Sequence, residues 1–251
     1  MSYCPVAGID VSKRFSDMCI LSPDNKIFAQ EKIYHDETSI NRANALLQKA
    51  ERLFFRKPVI VMESTSHYHL ILFQFFSEHI LYAPTWREST DGGKSYAIKP
   101  PIHFDEWQKE LGDEYVVLFR AHHQTTKVLG LEYNDFVRNA SDYPAVNDLM
   151  IAADILITDY SAIAFDYSIL CRPIFCYAYD YDSYLAERGT YFAVDEKYPN
   201  KSCRTESDLL QRIKNVDYAA ECANTKRFRD EFVQYGVGAT EICIKAVFAE
   251  D

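Results

Sequence analysis

The 251-residue sequence predicts an α/β protein built from two different parts. A strand, a helix and a second strand follow one another between Ala153 and Asp180, which is typical of a parallel sheet. Between Val6 and Ile33 short strands are joined by a four-residue turn, which is too short for a parallel crossover. The pattern changes near Ile80–Leu81, so we expect one part to end and the other to begin there.

The βαβ unit is the most informative stretch. Ile155–Ile157 is a branched apolar run, and apolar positions at helical spacing extend from Ile163 to Leu170. Arg172–Pro173 ends this helix, because a residue before proline is disfavoured in the helical region. Ile174–Tyr177 then reads as a second buried strand, and the connection between parallel strands is expected to be right-handed.

Polar residues follow the first of these strands. Asp159, Tyr160 and Ser161 lie where the strand ends and the helix begins, at the edge of an open α/β sheet that binds ligands. Ser161 is a suitable N-cap, and the free N–H groups of the first helical turn favour a phosphate or pyrophosphate. The alternative is that Ser161 only caps the helix.

Composition limits the classes of function. The net charge is −10, and the acidic excess lies beyond Leu81, which argues against a protein that coats nucleic acid. No apolar run is long enough to span a bilayer, and the N-terminus lacks a signal-peptide pattern. The seven cysteines are scattered without CxxC pairs, so we expect reduced thiols in a cytoplasmic protein.

The first part predicts a meander, a helix, a further strand and a second helix. After the three meander strands, a helix is expected from about Ser39 to Phe55, a strand at Pro58–Met62 and a helix at about His67–His79. This order is that of the opening of an RNase H-like fold.

Two motifs support that interpretation. The sequences GIDVSK at Gly8–Lys13 and VMESTSHYH at Val61–His69 resemble the first two signatures of DEDD-type transposases. The resemblance covers about residues 1–80 and implies that Asp10 and Glu63 help to hold Mg²⁺, if that site is active. The last two aspartates of the family have no counterpart here, which leaves open a DNA-processing fragment or a remnant without activity.

The second part, residues 81–251, predicts further strands and helices. Strand Tyr115–Phe119 ends in Arg120-Ala121-His122-His123, again at a carboxyl end, and a short strand is expected at Val137–Ser141. Helices are expected at Phe104–Leu111, at Ala145–Ala153, after the capping residue Thr205 and between Tyr218 and Ala249, with a polar loop up to Asn200.

Five motifs in a fixed order carry a second resemblance. They are LYAPTWR, LFRAH, ADILITDYSAIAFDYSIL, RPIFCYAYD and RGTYF. Together they resemble the C-terminal half of the CDP-glycerol:poly(glycerophosphate) glycerophosphotransferases. The resemblance implies a Rossmann-like half of a GT-B fold with a parallel sheet, which binds the nucleotide-diphosphate donor.

The resemblance also implies roles for individual residues. His122 corresponds to the catalytic histidine of an Arg–x–His motif, with Arg120 facing the donor phosphates and Ala121 between them. An imidazole pKa near 6.5 suits acid or base catalysis. A packed or surface histidine is the alternative reading of His122.

Other positions match the donor cleft. Ser161, Ala162 and Asp166 correspond to the helix start that contacts pyrophosphate and glycerol, although the family usually has serine in place of Ala162. Thr85, Arg188 and Gly189 match further positions that line the cleft, with structural turn roles as an equal alternative. Asp159 is also expected to contact the substrate.

The inherited reaction is transfer of glycerol phosphate from CDP-glycerol to a polyglycerol phosphate acceptor, as in teichoic acid biosynthesis. It needs no cofactor, and no strong binding of nucleic acid is expected. The family's N-terminal half has no counterpart among residues 1–80, so we expect donor binding with little turnover in a fusion of two sequences. The expected location is the cytoplasm, with peripheral association at the inner face of the cell membrane through partners left open.

Overall fold

The chain divides between Ser77 and Glu78 in a computed structural model of the protein. The two units are Met1–Ser77 and Glu78–Asp251, so the strand that begins at Glu78 belongs to the second unit. The structure describes residues 4–62, 72, 77–87, 97–123, 125, 127–234 and 238–248.

The first unit is a four-stranded sheet with a helix on one face. Its elements are β1 (Val6–Val11), β2 (Ser16–Leu21), β3 (Ile27–Ile33), α1 (Glu37–Phe54) and β4 (Val59–Met62). The strand order is β3-β2-β1-β4, with β1 antiparallel to β2, β2 antiparallel to β3 and β1 parallel to β4. The predicted meander is confirmed, and α1 supplies the long connection that a parallel pair requires.

Alternating burial assigns the two faces of this sheet. Ala7, Ile9 and Val11 of β1 are buried in the core beneath α1, whereas Asp10 points to the opposite, exposed face. Leu53, near the end of α1, is 57% exposed and does not belong to this core. Phe54 packs here instead, edge to face against Phe28.

The second unit contains a five-stranded sheet and its flanking helices. Its strands are β5 (Glu78–Tyr82), β6 (Ala97–Ile98), β7 (Tyr115–Phe119), β8 (Lys127–Val128), β9 (Val137–Asn139), β10 (Ile155–Thr158) and β11 (Ile174–Cys176). Its described helices are α2 (Phe104–Leu111), α3 (Val146–Ala152), α4 (Ile163–Ser168), α5 (Tyr181–Glu187), α6 (Val194–Lys197), α7 (Glu206–Lys214), α8 (Tyr218–Phe232) and α9 (Ala239–Phe248).

Several boundaries differ from the sequence prediction. The helix expected at about His67–His79 lies mostly outside the described residues, but its predicted end is wrong because β5 begins at Glu78. The expected polar loop up to Asn200 contains α6, and neither α5 nor the parallel pair β6–β8 was predicted. These elements were missed because they span only two to seven residues, which is too short for a clear periodic pattern.

All strands of the main sheet are parallel, in the order β11-β10-β5-β7-β9. The chain enters at the central strand β5, moves outward through β7 to β9, and then returns to β10 on the other side of β5. The predicted βαβ unit is confirmed, since Leu156 of β10 pairs in parallel with Ile174 of β11. The order reverses between β5 and β10, where the loops that follow the two strands leave in opposite directions.

The core of the second unit lies on both faces of this sheet. Ile155 and Ile157 of β10 face one buried cluster, and Leu156 faces the other. Strands covered on both faces read as continuous apolar runs, which is why β10 was visible in the sequence. The helix after β10 is shorter than predicted: α4 ends at Ser168, and Cys171 turns the chain with a left-handed φ of 52° before Pro173.

Candidate functional site

Three loops meet at the carboxyl edge of the main sheet. The loop after β5 carries Thr85, the loop after β7 carries Arg120–His123, and the loop after β10 carries Asp159–Ala162. Because β5 lies between β7 and β10, its loop has the other two as neighbours. The predicted residues of these three loops therefore share one edge of one sheet.

Asp159 anchors this edge from inside the protein. It is only 2% exposed, and its Oδ1 accepts hydrogen bonds from the N–H of Thr85 at 2.9 Å, the hydroxyl of Thr85 at 2.5 Å and the N–H of Tyr160 at 2.7 Å. Asp159 and Thr85 were predicted to contact a ligand. The contacts of Thr85 support its structural alternative, and Oδ1 of Asp159 is occupied by the protein's own donors.

Arg87, which the sequence analysis did not single out, completes this network. Its Nη2 donates to Asp159 Oδ2 at 2.9 Å and to Asp180 Oδ1 at 3.1 Å, its Nε donates to Asp180 Oδ2 at 2.7 Å, and its Nη1 donates to the carbonyl of Thr85 at 2.7 Å. Asp180 follows β11, so one guanidinium joins the loops of β5, β10 and β11. A planar guanidinium suits this arrangement because it can form several hydrogen bonds in fixed directions.

The surroundings of Arg87 keep it charged. Tyr160, Tyr179 and Tyr184 place their ring centroids 5.4–5.5 Å from its guanidinium carbon. Burial favours a lower pKa for Arg87, but the negative charges of Asp159 and Asp180 outweigh that effect and raise the pKa. Arg87 therefore keeps its positive charge across the accessible pH range.

Arg120 is also tied to the protein's own backbone. Its Nη1 donates to the carbonyls of Ala140 at 2.9 Å and Tyr143 at 2.8 Å, and the N–H of Ala121 donates to Ser141 Oγ at 3.1 Å. These bonds fix the start of the loop that carries His122. The predicted orientation of Arg120 toward phosphates would have to use its other guanidinium nitrogens.

His122 lies in a cluster of rings and one cation. Its ring centroid is 4.1 Å from that of His123 and 6.3 Å from that of Trp86, and the guanidinium carbon of Arg188 lies 4.1 Å from the Trp86 ring. Partial burial, and secondly the nearby His123, lower the pKa of His122 below its ordinary value. At neutral pH this imidazole is therefore mainly in the uncharged form, which can accept a proton.

The start of α4 differs from the prediction. Ser161 was expected as N-cap, but the N-cap position is taken by Ala162, with helical φ and ψ of −61° and −16°. Ser161 still contributes, since its Oγ accepts from Ile163 N–H at 3.4 Å and its carbonyl accepts from Ala164 N–H at 3.3 Å. Within the part of the chain that the structure describes, the N–H groups of Ser161 and Ala162 have no acceptor. Asp166, on the same helix, is exposed.

Arg188 and Gly189 end α5. Arg188 N–H donates to the carbonyl of Tyr184 at 2.9 Å, and Gly189 N–H donates to that of Leu185 at 3.1 Å. Gly189 has a φ of 72°, which glycine adopts at little cost. The turn therefore explains Gly189, whereas the position of Arg188 against Trp86 links it to the loop after β5.

The metal residues predicted in the first unit are only partly described. Asp10 lies on the exposed face of β1, opposite Asp17 of β2, and Glu63 lies outside the described residues. No group of three acidic, histidine or cysteine side chains able to hold a metal occurs among the residues that the structure describes. Likewise, none of the described helices is both long enough and apolar enough to cross a membrane.

Family models match both parts of the chain. The model of the CDP-glycerol:poly(glycerophosphate) glycerophosphotransferases matches residues 75–248, which is more than half of the sequence. The chain belongs to this family. A second model, described as a transposase of the DEDD type, matches residues 7–86.

Curated relatives agree with the larger match. A teichoic acid poly(glycerol phosphate) polymerase of Staphylococcus epidermidis is 41% identical over 141 residues, which is 55% of this chain and 20% of the relative. A teichoic acid glycerol-phosphate transferase of Staphylococcus aureus is 37% identical over 144 residues, covering 56% of this chain and 36% of the relative. The chain thus spans about a third or less of these two relatives.

A solved structure resembles the same region. The wall teichoic acid polymerase TagF matches with a TM-score of 0.57 and 34% identity, over 68% of this chain and 42% of TagF. A TagF variant soaked with CDPG gives a TM-score of 0.56 at 34% identity, over 68% of this chain and 41% of that one. The α/β architecture with a parallel sheet is therefore shared with TagF.

Arg87 and Trp86 were not predicted as site residues, although both are part of the APTWR motif. A cation and an aromatic residue directly after a central strand were a usable signal, because the loop after such a strand lies at the ligand-binding edge. What the sequence did not indicate is that Asp159 and Asp180, far apart along the chain, are partners of Arg87.

We predict that Arg87→Met destabilises the second unit. The substitution leaves the buried carboxylate of Asp159 without its cation, which typically costs about 3–5 kcal/mol. Both tryptophans, Trp86 and Trp107, belong to this unit, so urea unfolding followed by tryptophan fluorescence reports on it alone.

Arg138→Met is the matched control for this measurement. Arg138 pairs with Asp135 at 3.4 Å, and 36% of the Arg138 side chain and 69% of the Asp135 side chain are exposed. The same substitution there is expected to change the free energy of unfolding by less than about 1 kcal/mol. Equal effects of the two substitutions would contradict the assigned role of Arg87.

We predict that the pKa of His122 lies below the ordinary histidine value and that the pKa of His103 lies above it. The pKa of His122 is lowered, whereas a hydrogen bond from the His103 ring to Glu206 raises that of His103. As the pH falls below the ordinary histidine pKa, protonation of His122 therefore lowers the stability of the folded protein. The protonated His103 stabilises the fold, and this stabilisation is lost as the pH rises through the raised pKa of His103.

Proton NMR titration of the imidazole C–H signals measures both values. His123→Gln is expected to bring the pKa of His122 partly back toward the ordinary value, since burial remains. Glu206→Gln is expected to lower that of His103. A His122 pKa at or above that of His103 would contradict the described environments.

Proposed function

We propose that the second unit binds CDP-glycerol at the carboxyl edge of its parallel sheet. We further propose that it serves the transfer of glycerol phosphate to a polyglycerol phosphate acceptor, with release of CMP. The observation that carries this proposal is the pair of open N–H groups at Ser161 and Ala162, on the same sheet edge as His122. The family match over residues 75–248 supplies the reaction class.

The sheet supports a nucleotide as the ligand. Counted from β5, the order β9-β7-β5-β10-β11 corresponds to the 3-2-1-4-5 arrangement of dinucleotide-binding sheets, so a Rossmann-like half of a GT-B fold is part of the proposal. In such sheets the diphosphate lies at the switch point, which here is formed by the loops after β5 and β10. Adjacent backbone N–H groups suit the phosphate oxygens that would occupy this place.

His122 is proposed as the general base. Its lowered pKa keeps the imidazole uncharged at neutral pH, ready to accept the proton of the attacking acceptor hydroxyl. As the hydroxyl oxygen forms its bond to the glycerol phosphate phosphorus, the bond from that phosphorus to CMP breaks. The N–H groups of Ser161 and Ala162, together with Arg188, would stabilise the charge on the phosphate oxygens.

The first unit is proposed to be a separate, transposase-derived segment. The two family models overlap at residues 75–86, which supports a junction between two unrelated sequences near His79–Leu81. The sheet order β3-β2-β1-β4 is compatible with the opening of an RNase H-like fold. A cytoplasmic location, with peripheral membrane association through partners, completes the proposal.

DNA processing is the alternative function, favoured by the transposase match over residues 7–86. It would depend on Mg²⁺ held by Asp10, and the net charge of −10 opposes nonspecific attraction to DNA. We expect no Mg²⁺-dependent DNA cleavage in a nicking assay. Cleavage that disappears in Asp10→Ala but persists in Asp17→Ala would establish the alternative.

We predict that CDP-glycerol binds and that Ala162→Pro weakens this binding about 10-fold or more. The φ of −61° at Ala162 already suits proline, so the substitution removes the N–H donor with little backbone change. Loss of a hydrogen bond to a charged group is worth about 1.5–3 kcal/mol. Isothermal titration calorimetry at millimolar CDP-glycerol measures the effect.

Ala162→Ser is the matched control. It retains the N–H and adds a hydroxyl, so binding is expected to be equal or tighter. Absence of heat with the unsubstituted protein would refute the proposed donor, and equal affinities of the proline and serine variants would refute the N–H contact.

A further inference from the structure

Trp86 is the point at which two groups of the proposed donor site meet. The guanidinium carbon of Arg188 lies 4.1 Å from its ring centroid, and the ring centroid of His122 lies 6.3 Å away, tilted by 34°. We propose that Trp86 is a positioning residue that holds the Arg188 cation and the His122 imidazole in fixed places at the carboxyl edge of the sheet. The inference rests on the proposed function and names a residue that the family resemblance did not assign.

The backbone on both sides of Trp86 is fastened. Before it, Thr85 gives its N–H and its hydroxyl to Asp159, at 2.9 and 2.5 Å. After it, Arg87 binds both Asp159 and Asp180. Anchoring on both sides therefore fixes the backbone position from which the indole projects.

Arg188 gains part of its position from this ring. It is exposed and follows the last residue of α5, and Gly189, with a φ of 72°, turns the chain away directly afterwards. A long side chain at such a place can sample many rotamers, and the ring face of Trp86 restricts them together with a hydrogen bond to the Tyr184 side chain. Contact between a cation and an indole face shifts the equilibrium toward the contacting conformation by roughly 2- to 30-fold, depending on how far the cation is desolvated.

His122 gains partial shielding from water. The rings of His123, in its own loop, and Trp86, in the loop after β5, lie beside the His122 ring, and the Arg188 guanidinium lies over Trp86. Burial is the first cause of the lowered pKa of His122. Removal of the indole exposes the imidazole, so the pKa should rise toward the ordinary value.

A double-mutant cycle tests the link to Arg188. Trp86→Leu, Arg188→Gln and the double variant are titrated calorimetrically with CDP-glycerol. Each single substitution is expected to weaken CDP-glycerol binding about 3- to 30-fold. The double variant is expected to bind no more weakly than the weaker of the two single variants, because both substitutions remove the same contact between Trp86 and Arg188. Losses that multiply in the double variant would overturn the inference.

An NMR titration tests the link to His122 without any ligand. The His122 signal is assigned by its loss in His122→Gln. Trp86→Leu is expected to raise the pKa of His122, whereas Tyr218→Leu should leave it unchanged. Tyr218 is the matched control because its hydroxyl donates to the carbonyl of Asp154, which precedes β10 at the opposite edge of the sheet.

The calorimetry depends on the proposed donor, whereas the NMR titration tests the role of Trp86 without it. If the unsubstituted protein gives no heat with CDP-glycerol, the proposed donor is refuted and the titration alone decides the role of Trp86. An unchanged His122 pKa in a folded Trp86→Leu protein overturns the inference.

Trp86→Phe keeps the inference testable if the leucine variant does not fold, which circular dichroism would show. Phenylalanine retains a ring face, so binding is expected to weaken less than about 3-fold, with a small rise in the pKa of His122. A loss of affinity as large as that caused by Arg188→Gln would show that the ring face does not hold the cation.

Discussion

The buried carboxylate of Asp159 is the constraint on which the carboxyl edge of the second unit depends. A negative charge with 2% exposure is tolerated only where hydrogen bonds and a cation compensate for the lost water. Here the donors come from Thr85, Tyr160 and Arg87, so the requirements of one side chain fix the loops of two neighbouring strands. Arg87 also donates to Asp180, which connects the loop after β11 to the same network.

The sequence was informative where packing imposes a simple pattern. β7 and β10 were predicted because strands buried on both faces are uniformly apolar, and the meander was predicted because its turn is short. The capping role of Thr205 was predicted, and its hydroxyl accepts from Asp208 N–H at 3.2 Å. These features depend on a few adjacent residues, which makes them visible without knowledge of the fold.

The candidate site was predictable in position but not in detail. Residues at strand ends were expected to meet at one edge, and Ser161 and His122 do follow neighbours of the same central strand. Whether a carboxylate faces a ligand or an internal arginine depends on partners distant in sequence, so Asp159 was assigned to the ligand. The N-cap of α4 lies one residue later than predicted, at Ala162 instead of Ser161. The backbone angles of Ala162 decide where the helix begins, and an alanine side chain has no capping group that would indicate this from the sequence.

The parallel sheet also explains why the residues at its carboxyl edge lie far apart along the sequence. Each strand delivers one short segment to the carboxyl edge, and the chain must then return to the opposite edge before it can deliver the next. The segments between the strands need to be long enough to cover the sheet and return, and their lengths differ from one crossover to the next. The distances between motifs therefore record the lengths of these return paths, and insertions within them would leave the geometry of the edge intact.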